Sequence, residues 1–164
     1  MKYEGGFNCD RNAKDILKNL IENKWFSSCS INYDTTNETD PYAPMDTVFT
    51  AITSTGKQRA YAIELKDRKG YSSEEFDDWM LETQKFNKMS DYTNSGYTVL
   101  YFNVFNDDTY LLWDYDSINT NKTEGIRYIK PHTQGDENES KVKRNRYFIN
   151  KKYAIKSGNI YDTN

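Results

Sequence analysis

Residues 45–66, MDTVFTAITSTGKQRAYAIELK, contain two β-branched and aromatic runs joined by a short polar turn. Such runs are typical of β-strands, and we predict strands at 45–53 and 57–66. The connecting residues 54–56, Ser-Thr-Gly, predict a three-residue hairpin loop, in which Gly56 takes the positive φ that glycine adopts without strain. The sequence therefore places an antiparallel strand pair in the first half of the chain.

The hairpin would bring charged side chains together at the ends of its strands. With a three-residue loop, paired residues have numbers that sum to about 110, so Asp46 is expected directly across from Glu64. Lys66 lies two residues after Glu64 and therefore shares its face of the strand. Two carboxylates this close repel each other unless a cation lies between them. Because Mg²⁺ prefers oxygen ligands, it is the natural occupant, and Lys66 could hold a water or stabilise charge on a phosphate.

The same charges have a simpler interpretation. Asp46 or Glu64 could form a surface salt bridge with Lys66 at a solvated strand end. A loop of two or four residues would also shift the register by one and send Asp46 to the opposite face. Both alternatives stay open on spacing alone.

The other elements follow from periodicity and turn residues. Two amphipathic helices are predicted, at about 10–24, where Asp10 could cap the first turn, and at 72–89, where Ser72 and Glu75 form a capping-box pattern. Further segments are a short strand at 28–34, a polar loop at 35–44, strands at 96–107 and 109–118 buried on both faces, a turn at 120–125, a short strand at 126–131, and a basic hairpin at 141–156.

Pro44-Met45-Asp46 together with Glu64-Leu65-Lys66 resembles the motif of the PD-(D/E)xK nuclease superfamily, although Met45 separates the proline from the aspartate. The order helix, three strands, helix, strand over about residues 10–105 is similar to that family's core. The resemblance implies a restriction endonuclease-like α/β fold, shared with Holliday junction resolvases, in which helices flank a mixed central sheet. Additional C-terminal strands would follow this core.

The resemblance also implies Mg²⁺-dependent hydrolysis of phosphodiester bonds, with Mn²⁺ able to substitute and DNA as the expected substrate. Asp46, Glu64 and the backbone carbonyl of Leu65 would bind the metal, and Lys66 would position or activate the attacking water. Many members of the family act as dimers, so a homodimer is a candidate assembly.

Two further candidates rest on family branches. Glu22, at the end of the first helix, could be an additional metal ligand, and its alternative is a solvated carboxylate beside Lys24. Gln84, on the second helix, is a candidate accessory residue, with Lys85 as a second choice.

The segment 141–156 carries lysines and arginines interleaved with aromatic residues and has no acidic residue. Cations attract phosphates and rings stack on exposed bases, so the segment predicts a nucleic-acid-binding hairpin. A solvated hairpin with inward-facing aromatic residues is the alternative, and Lys66 and Arg68 would extend a binding patch beside the active site. The candidate binding residues are Lys69, Lys143, Arg144, Arg146, Lys151 and Lys152.

Composition limits the remaining possibilities. The formal net charge of −3 means that any basic patch is local, and His132 as the only histidine excludes a histidine-rich metal site. Cys9 and Cys29 fit neither a disulfide framework nor a paired zinc motif. Residues 1–12 lack the apolar region of a signal peptide, and no apolar run is long enough for a bilayer, so we expect a soluble, cytoplasmic protein with no membrane partner.

The sequence thus predicts a single nuclease-like domain over 1–164, with its core at about 10–118. The leading hypothesis is a metal-dependent nuclease. A catalytically inactive module that binds nucleic acid or serves in assembly is the second hypothesis, and a purely structural protein is the third.

Overall fold

The hairpin of residues 45–66 lies inside a six-stranded sheet. The computed structural model describes residues 11–129 and 142–162, with the backbone alone at 127–129 and 142–144. Its strands are β1 (Ser30–Tyr33), β2 (Thr47–Ile52), β3 (Gln58–Arg68), β4 (Asp78–Glu82), β5 (Thr98–Phe105), β6 (Thr109–Asp114), β7 (Thr123–Ile129), β8 (Val142–Asn150) and β9 (Lys156–Asn159). Its α-helices are α1 (Ala13–Leu20), α2 (Thr35–Thr39), α3 (Thr83–Asn94) and α4 (Tyr115–Asn121), with a π-helical turn at Ile21–Trp25 and a 3₁₀ turn at Lys151–Tyr153.

The predicted hairpin register is confirmed. Thr47 pairs with Ile63 and the other β2–β3 pairs keep the same sum of residue numbers, 110. The Thr53 amide donates to the Lys57 carbonyl at 2.9 Å, which closes a three-residue loop, and Gly56 has a φ of 84°. Only glycine adopts this conformation without a steric cost, so the loop length follows from the sequence.

The strands form two sheets. The main sheet has the order β1-β2-β3-β5-β6-β9, and β3 and β5 are parallel whereas the other neighbours are antiparallel. The crossover between β3 and β5 contains β4 and α3, and β4 joins a small sheet of order β4-β8-β7. The chain therefore has the predicted α/β class, with a mixed central sheet flanked by helices, which is consistent with a restriction endonuclease-like fold, and α2 and β4 are elements that were not predicted.

Helices cover both faces of the main sheet. Leu17, Leu20 and Ile21 pack on the face that carries Ile63, whereas Phe86, Met89 and Ile118 of α3 and α4 pack on the face that carries Ala62. Each such buried side chain stabilises the fold by roughly 1.5–3 kcal/mol. Because side chains alternate along β3, Glu64 and Lys66 share the face of Ala62, which is the α3 face. Residues 99–105 of β5 are all buried, as predicted for a strand covered on both sides.

The predicted helix at 72–89 is wrong in its first half. Ser72 and Glu75 form a local turn, in which the Ser72 amide donates to Glu75 Oε1 at 3.2 Å, and no helix starts there. Residues 78–82 are β4, where Trp79 and Leu81 are buried and their neighbours are more exposed. Side chains of this segment alternate between buried and more exposed positions, as in any strand, because its backbone pairs with β8.

Other boundaries also differ from the sequence predictions. The strand at 109–118 ends at Asp114, whose side chain accepts the Ser117 amide at 2.8 Å and caps α4. The loop at 35–44 contains α2, and the predicted turn at 120–125 already belongs to α4 and β7. The first helix is capped by Asn12, which accepts the amides of Lys14 and Asp15, whereas Asp10 lies outside the described residues.

The prediction of a basic hairpin at 141–156 is also wrong. β8 pairs with β4 and β7, and the chain then makes a 3₁₀ turn and crosses to the main sheet, where β9 pairs with β6. The Ile155 amide donates to the Leu112 carbonyl at 2.7 Å on this path. The basic segment therefore has strands in two sheets: β8 pairs with the preceding strand β7 and with the distant β4, and β9 pairs with the distant β6.

Arg68 connects the two sheets from a buried position. Its Nε donates to Asn103 Oδ1 at 2.7 Å, and its Nη2 donates to the Met80 carbonyl at 2.6 Å and to the Tyr101 hydroxyl at 3.2 Å. The expectation that Arg68 extends a solvent-facing basic patch is wrong, because the side chain is 8% exposed and makes these internal hydrogen bonds.

Two of the three tryptophans, Trp79 and Trp113, are buried, and Trp25 packs partly buried against Phe102 and Tyr110. Within residues 11–129 and 142–162, no helix has both the length and the apolar character needed to cross a membrane.

Candidate active site

The hairpin register brings Asp46 beside the end of β3. Asp46 directly precedes β2, and its Oδ2 accepts a hydrogen bond of 2.8 Å from the Leu65 amide. The preceding loop is held by Asn37, whose Nδ2 donates to the Met45 carbonyl at 3.1 Å. Asp46 therefore lies in the place predicted for it, with one carboxylate oxygen committed to the β3 backbone.

Glu64 is the most enclosed charged group of the site. The residue is 5% exposed, Oε1 lies 2.9 Å from Lys85 Nζ, and Oε2 has no hydrogen-bond partner among the described residues. Burial, and then the negative charge of Asp46, raise the pKa of Glu64 to about 7, against a smaller opposing effect of Lys85. A buried carboxylate with an unsatisfied oxygen favours a bound cation or a bound proton.

Two lysines face the carboxylates. Lys66 Nζ lies 3.7 Å from Glu82 Oε1, and both side chains are partly exposed. Burial alone would lower the pKa of Lys85, but its hydrogen bond to Glu64 and the nearby carboxylate charges outweigh this effect and raise the pKa. Lys85 is therefore cationic at neutral pH.

These side chains surround one small cavity of about 180 Å³. It is lined by Asp46, Glu64, Leu65, Lys66, Met80, Leu81, Glu82, Lys85 and Tyr101. All of them except Tyr101 come from residues 46–85, that is, from the hairpin and the crossover that follows it. The volume is enough for several waters, since a water occupies about 30 Å³ in the liquid.

The donor set fits a hard divalent cation. Asp46 and Glu64 supply carboxylate oxygens, and Leu65, the residue after Glu64, also lines the cavity. The described residues contain no cluster of three or more His, Cys, Asp or Glu side chains that could hold a metal. Mg²⁺ does not need such a cluster, since it is commonly bound by one or two carboxylates and keeps several waters.

Two candidate residues do not reach the cavity. Glu22 is exposed on the π-helical turn, which follows α1 on the opposite face of the main sheet, and its charge acts on Tyr33 there. Gln84 is exposed, and the next residue of α3, Lys85, is the one that contacts Glu64. The second choice on this helix is therefore the residue that lies in the site.

The candidate nucleic-acid-binding residues are dispersed. Lys69 is exposed in the turn after β3, and Lys152 is exposed with Nζ 5.0 Å from the centre of the Tyr153 ring. Lys151 is engaged by Glu74 at 3.2 Å and Asp77 at 3.5 Å.

Arg146 of β8 lies directly across from Glu82 of β4, so it is the basic candidate whose strand position is adjacent to the cavity. The side chains of Lys143 and Arg144 lie outside the described residues.

Glu82 is the site residue that sequence reasoning missed. It ends β4 and precedes the first turn of α3, a position that becomes visible only when 78–82 is recognised as a strand. The two-residue spacing of Trp79 and Leu81 was the available signal, but the helical spacing of Phe76, Trp79 and Met80 competed with it.

No protein-family model matches the chain, and no curated protein matches it. Among solved structures, the chain is similar to Hjc of Archaeoglobus fulgidus, a Holliday junction resolvase from an archaeal hyperthermophile, with 11% identity and a TM-score of 0.46. The alignment covers 90% of this chain and 95% of that one.

Proposed function

We propose that this chain is a Mg²⁺-dependent nuclease that hydrolyses phosphodiester bonds in DNA. The observation that carries the proposal is the convergence of Asp46, Glu64 and Lys66 on one cavity, in a hairpin register that the loop length fixes. The motif resemblance to PD-(D/E)xK nucleases supports the same chemistry. A salt bridge at a solvated strand end would not explain why Glu64 is buried.

Metal binding and activation of the attacking water would fall to different residues of the site. Asp46 and Glu64 would hold the metal with the Leu65 carbonyl. A bound Mg²⁺ would polarise the scissile phosphate and lower the pKa of a bound water. Lys66 would orient the attacking water and stabilise the negative charge that develops on the phosphate oxygens.

Lys66 has the freedom that this role requires. Its side chain is 43% exposed, and its contact with Glu82 is a long one of 3.7 Å. Exposed ion pairs of this kind contribute roughly 0–1 kcal/mol, so a phosphate could replace Glu82 as the partner of Lys66 at little cost. Glu82 would hold Lys66 over the cavity until substrate binds.

The test is a cleavage assay on supercoiled plasmid and on short single-stranded, double-stranded and branched DNAs, with Mg²⁺ or Mn²⁺. We expect cleavage that EDTA abolishes and that Lys66→Ala lowers by about 100-fold or more. Lys57→Ala is the matched control, because Lys57 is exposed at the opposite end of the same hairpin.

Two outcomes would count against the proposal. The first is the absence of cleavage on every substrate, and the second is cleavage that Lys66→Ala leaves unchanged. Salt-sensitive DNA binding without cleavage, retained in Asp46→Ala, would instead favour an inactive binding module on the same fold.

A further inference from the structure

The two lysines of the cavity have different partners. Lys66 is paired with Glu82, whereas Lys85 lies 2.9 Å from Glu64, the buried carboxylate assigned above to the metal. We propose that Lys85 is a built-in counter-cation for Glu64, which a divalent metal ion must displace in order to bind that carboxylate. The inference rests on the proposed function and adds a residue that sets how much metal the site needs.

The surroundings of the two groups make this exchange possible. The Glu64 side chain is 6% exposed, so it has little access to solvent and needs a partner from the cavity. The Lys85 side chain is 41% exposed, so its ammonium group can turn into water when another cation takes its place. Lys85 is a flexible four-carbon chain in the first turn of α3, and its displacement does not require the helix to move.

Two cations beside Glu64 would lie close to each other. Lys85 Nζ already lies at hydrogen-bond distance from Oε1, and the whole cavity is about 180 Å³. A metal ion bound at either oxygen of Glu64, including Oε2, which has no hydrogen-bond partner among the described residues, would therefore lie near the lysine ammonium, where two positive charges repel strongly in a partly enclosed site.

The charge count leads to the same conclusion. Counted as formal charges with Glu64 ionised, Asp46, Glu64 and Glu82 line the cavity with three negative charges, and Lys66 and Lys85 supply two positive ones, which gives −1 in total. Addition of a divalent ion with both lysines in place would give +1. Movement of Lys85 into solvent would then lower the total charge of the site to 0, so the departure of Lys85 from Glu64 favours metal binding.

The experiment measures Mn²⁺ binding without nucleic acid at about pH 8, so that the Glu64 proton competes little with the ion, by isothermal titration calorimetry and by the electron paramagnetic resonance signal of free Mn²⁺. Lys85→Met removes the ammonium group and keeps an unbranched side chain. We expect this variant to bind Mn²⁺ about tenfold more tightly than the wild type, because the ion no longer competes with a charge-assisted hydrogen bond. Lys85→Arg keeps the charge and should stay within about threefold of the wild type.

Lys88→Met is the matched control, since Lys88 is exposed nearly one turn further along α3. It should leave the Mn²⁺ affinity unchanged. An affinity of Lys85→Met equal to or weaker than that of the wild type would overturn the inference. If Lys85→Met fails to fold, Lys85→Gln takes its place, and a Gln variant that binds Mn²⁺ no more tightly than the wild type overturns the inference equally.

A further variant separates this inference from the proposed function. Glu64→Gln should abolish the Mn²⁺ site. If Mn²⁺ binding is absent in the wild type or survives in Glu64→Gln, the metal assignment of the proposed function fails, and the inference fails with it. Binding that depends on Glu64 but ignores Lys85 overturns the inference alone.

Discussion

The replacement Glu64→Gln should stabilise the metal-free protein above neutral pH and lose this advantage in acid. In the folded protein the pKa of Glu64 is raised to about 7 from an ordinary value of 4.5, first by burial and then by the charge of Asp46. The folded state therefore holds the Glu64 proton more tightly than the unfolded chain does. The stability that this proton gives is complete below pH 4.5 and is lost as the pH rises through 7.

The magnitude follows from the difference between these two pKa values. Each unit corresponds to about 1.4 kcal/mol, so the wild type should lose about 3 kcal/mol between acid and mildly alkaline pH from this group alone. Glutamine has nearly the same shape and does not titrate. The difference in unfolding free energy, variant minus wild type, should therefore grow by about 3 kcal/mol from pH 4.5 to pH 8.

The measurement is urea unfolding in EDTA at steps of half a pH unit, followed by tryptophan fluorescence. EDTA is needed because a bound cation would favour the ionised carboxylate and mask the effect. Glu124→Gln serves as the control, because Glu124 is exposed on β7, and its difference from the wild type should stay flat. A flat difference for Glu64→Gln as well, or one that shrinks as the pH rises, would refute the reasoning from burial.

The remaining predictions concern the metal site and three structural contacts. The apparent Mn²⁺ affinity should fall by up to tenfold for each pH unit below 7, because the ion competes with the Glu64 proton, and calorimetry that shows no pH dependence would contradict this. Arg68→Met should lower the unfolding free energy by about 3 kcal/mol in urea, because buried polar partners are left unsatisfied, and a loss under 1 kcal/mol would contradict this. Gly125→Ala should cost about 1–3 kcal/mol, since an added Cβ would lie 2.6 Å from the Phe148 ring, and Phe148→Leu should restore part of the loss; the double variant tests this in the same assay. Asp114→Ala should lower the melting temperature through the loss of about 1 kcal/mol of helix capping, and an unchanged melting curve would contradict the role of this cap.

The hairpin and its charged ends could be predicted because their determinants are local. Runs of β-branched and aromatic residues define both strands, and Gly56 fixes the loop length, so the register of Asp46 against Glu64 follows from a few neighbouring residues. The burial of β5 on both faces was equally visible in its continuous apolar run.

The errors occur where the deciding partner is distant in sequence. The segment 78–82 has both helical and alternating spacing, and its pairing with β8, nearly seventy residues later, selects the strand. The basic C-terminal segment was predicted to form a hairpin, but β9 pairs with the edge of β6 instead. Neither partner is contained in the local pattern.

The choice of Gln84 over Lys85 has the same origin. If the helix is taken to begin at residue 72, the sequence does not determine which side chains of its last turns face β3. Because α3 begins at Thr83, the side chains of its first turn that face β3 are determined. Once β4 is placed, Lys85 follows as the residue beside Glu64. Which side of α3 faces β3 thus depends on where β4 ends.

The cavity takes all but one of its lining residues from a single stretch of forty residues, 46–85. Its chemistry is thus encoded in a compact module, whereas the scaffold around it depends on pairings across the whole chain. Changes in distant parts of the sequence can alter the support of this module without touching its reactive groups. Grafting or recombination that moves the stretch intact would carry the candidate site with it, provided that the recipient supplies a parallel neighbour for β3 and a counterpart of Tyr101.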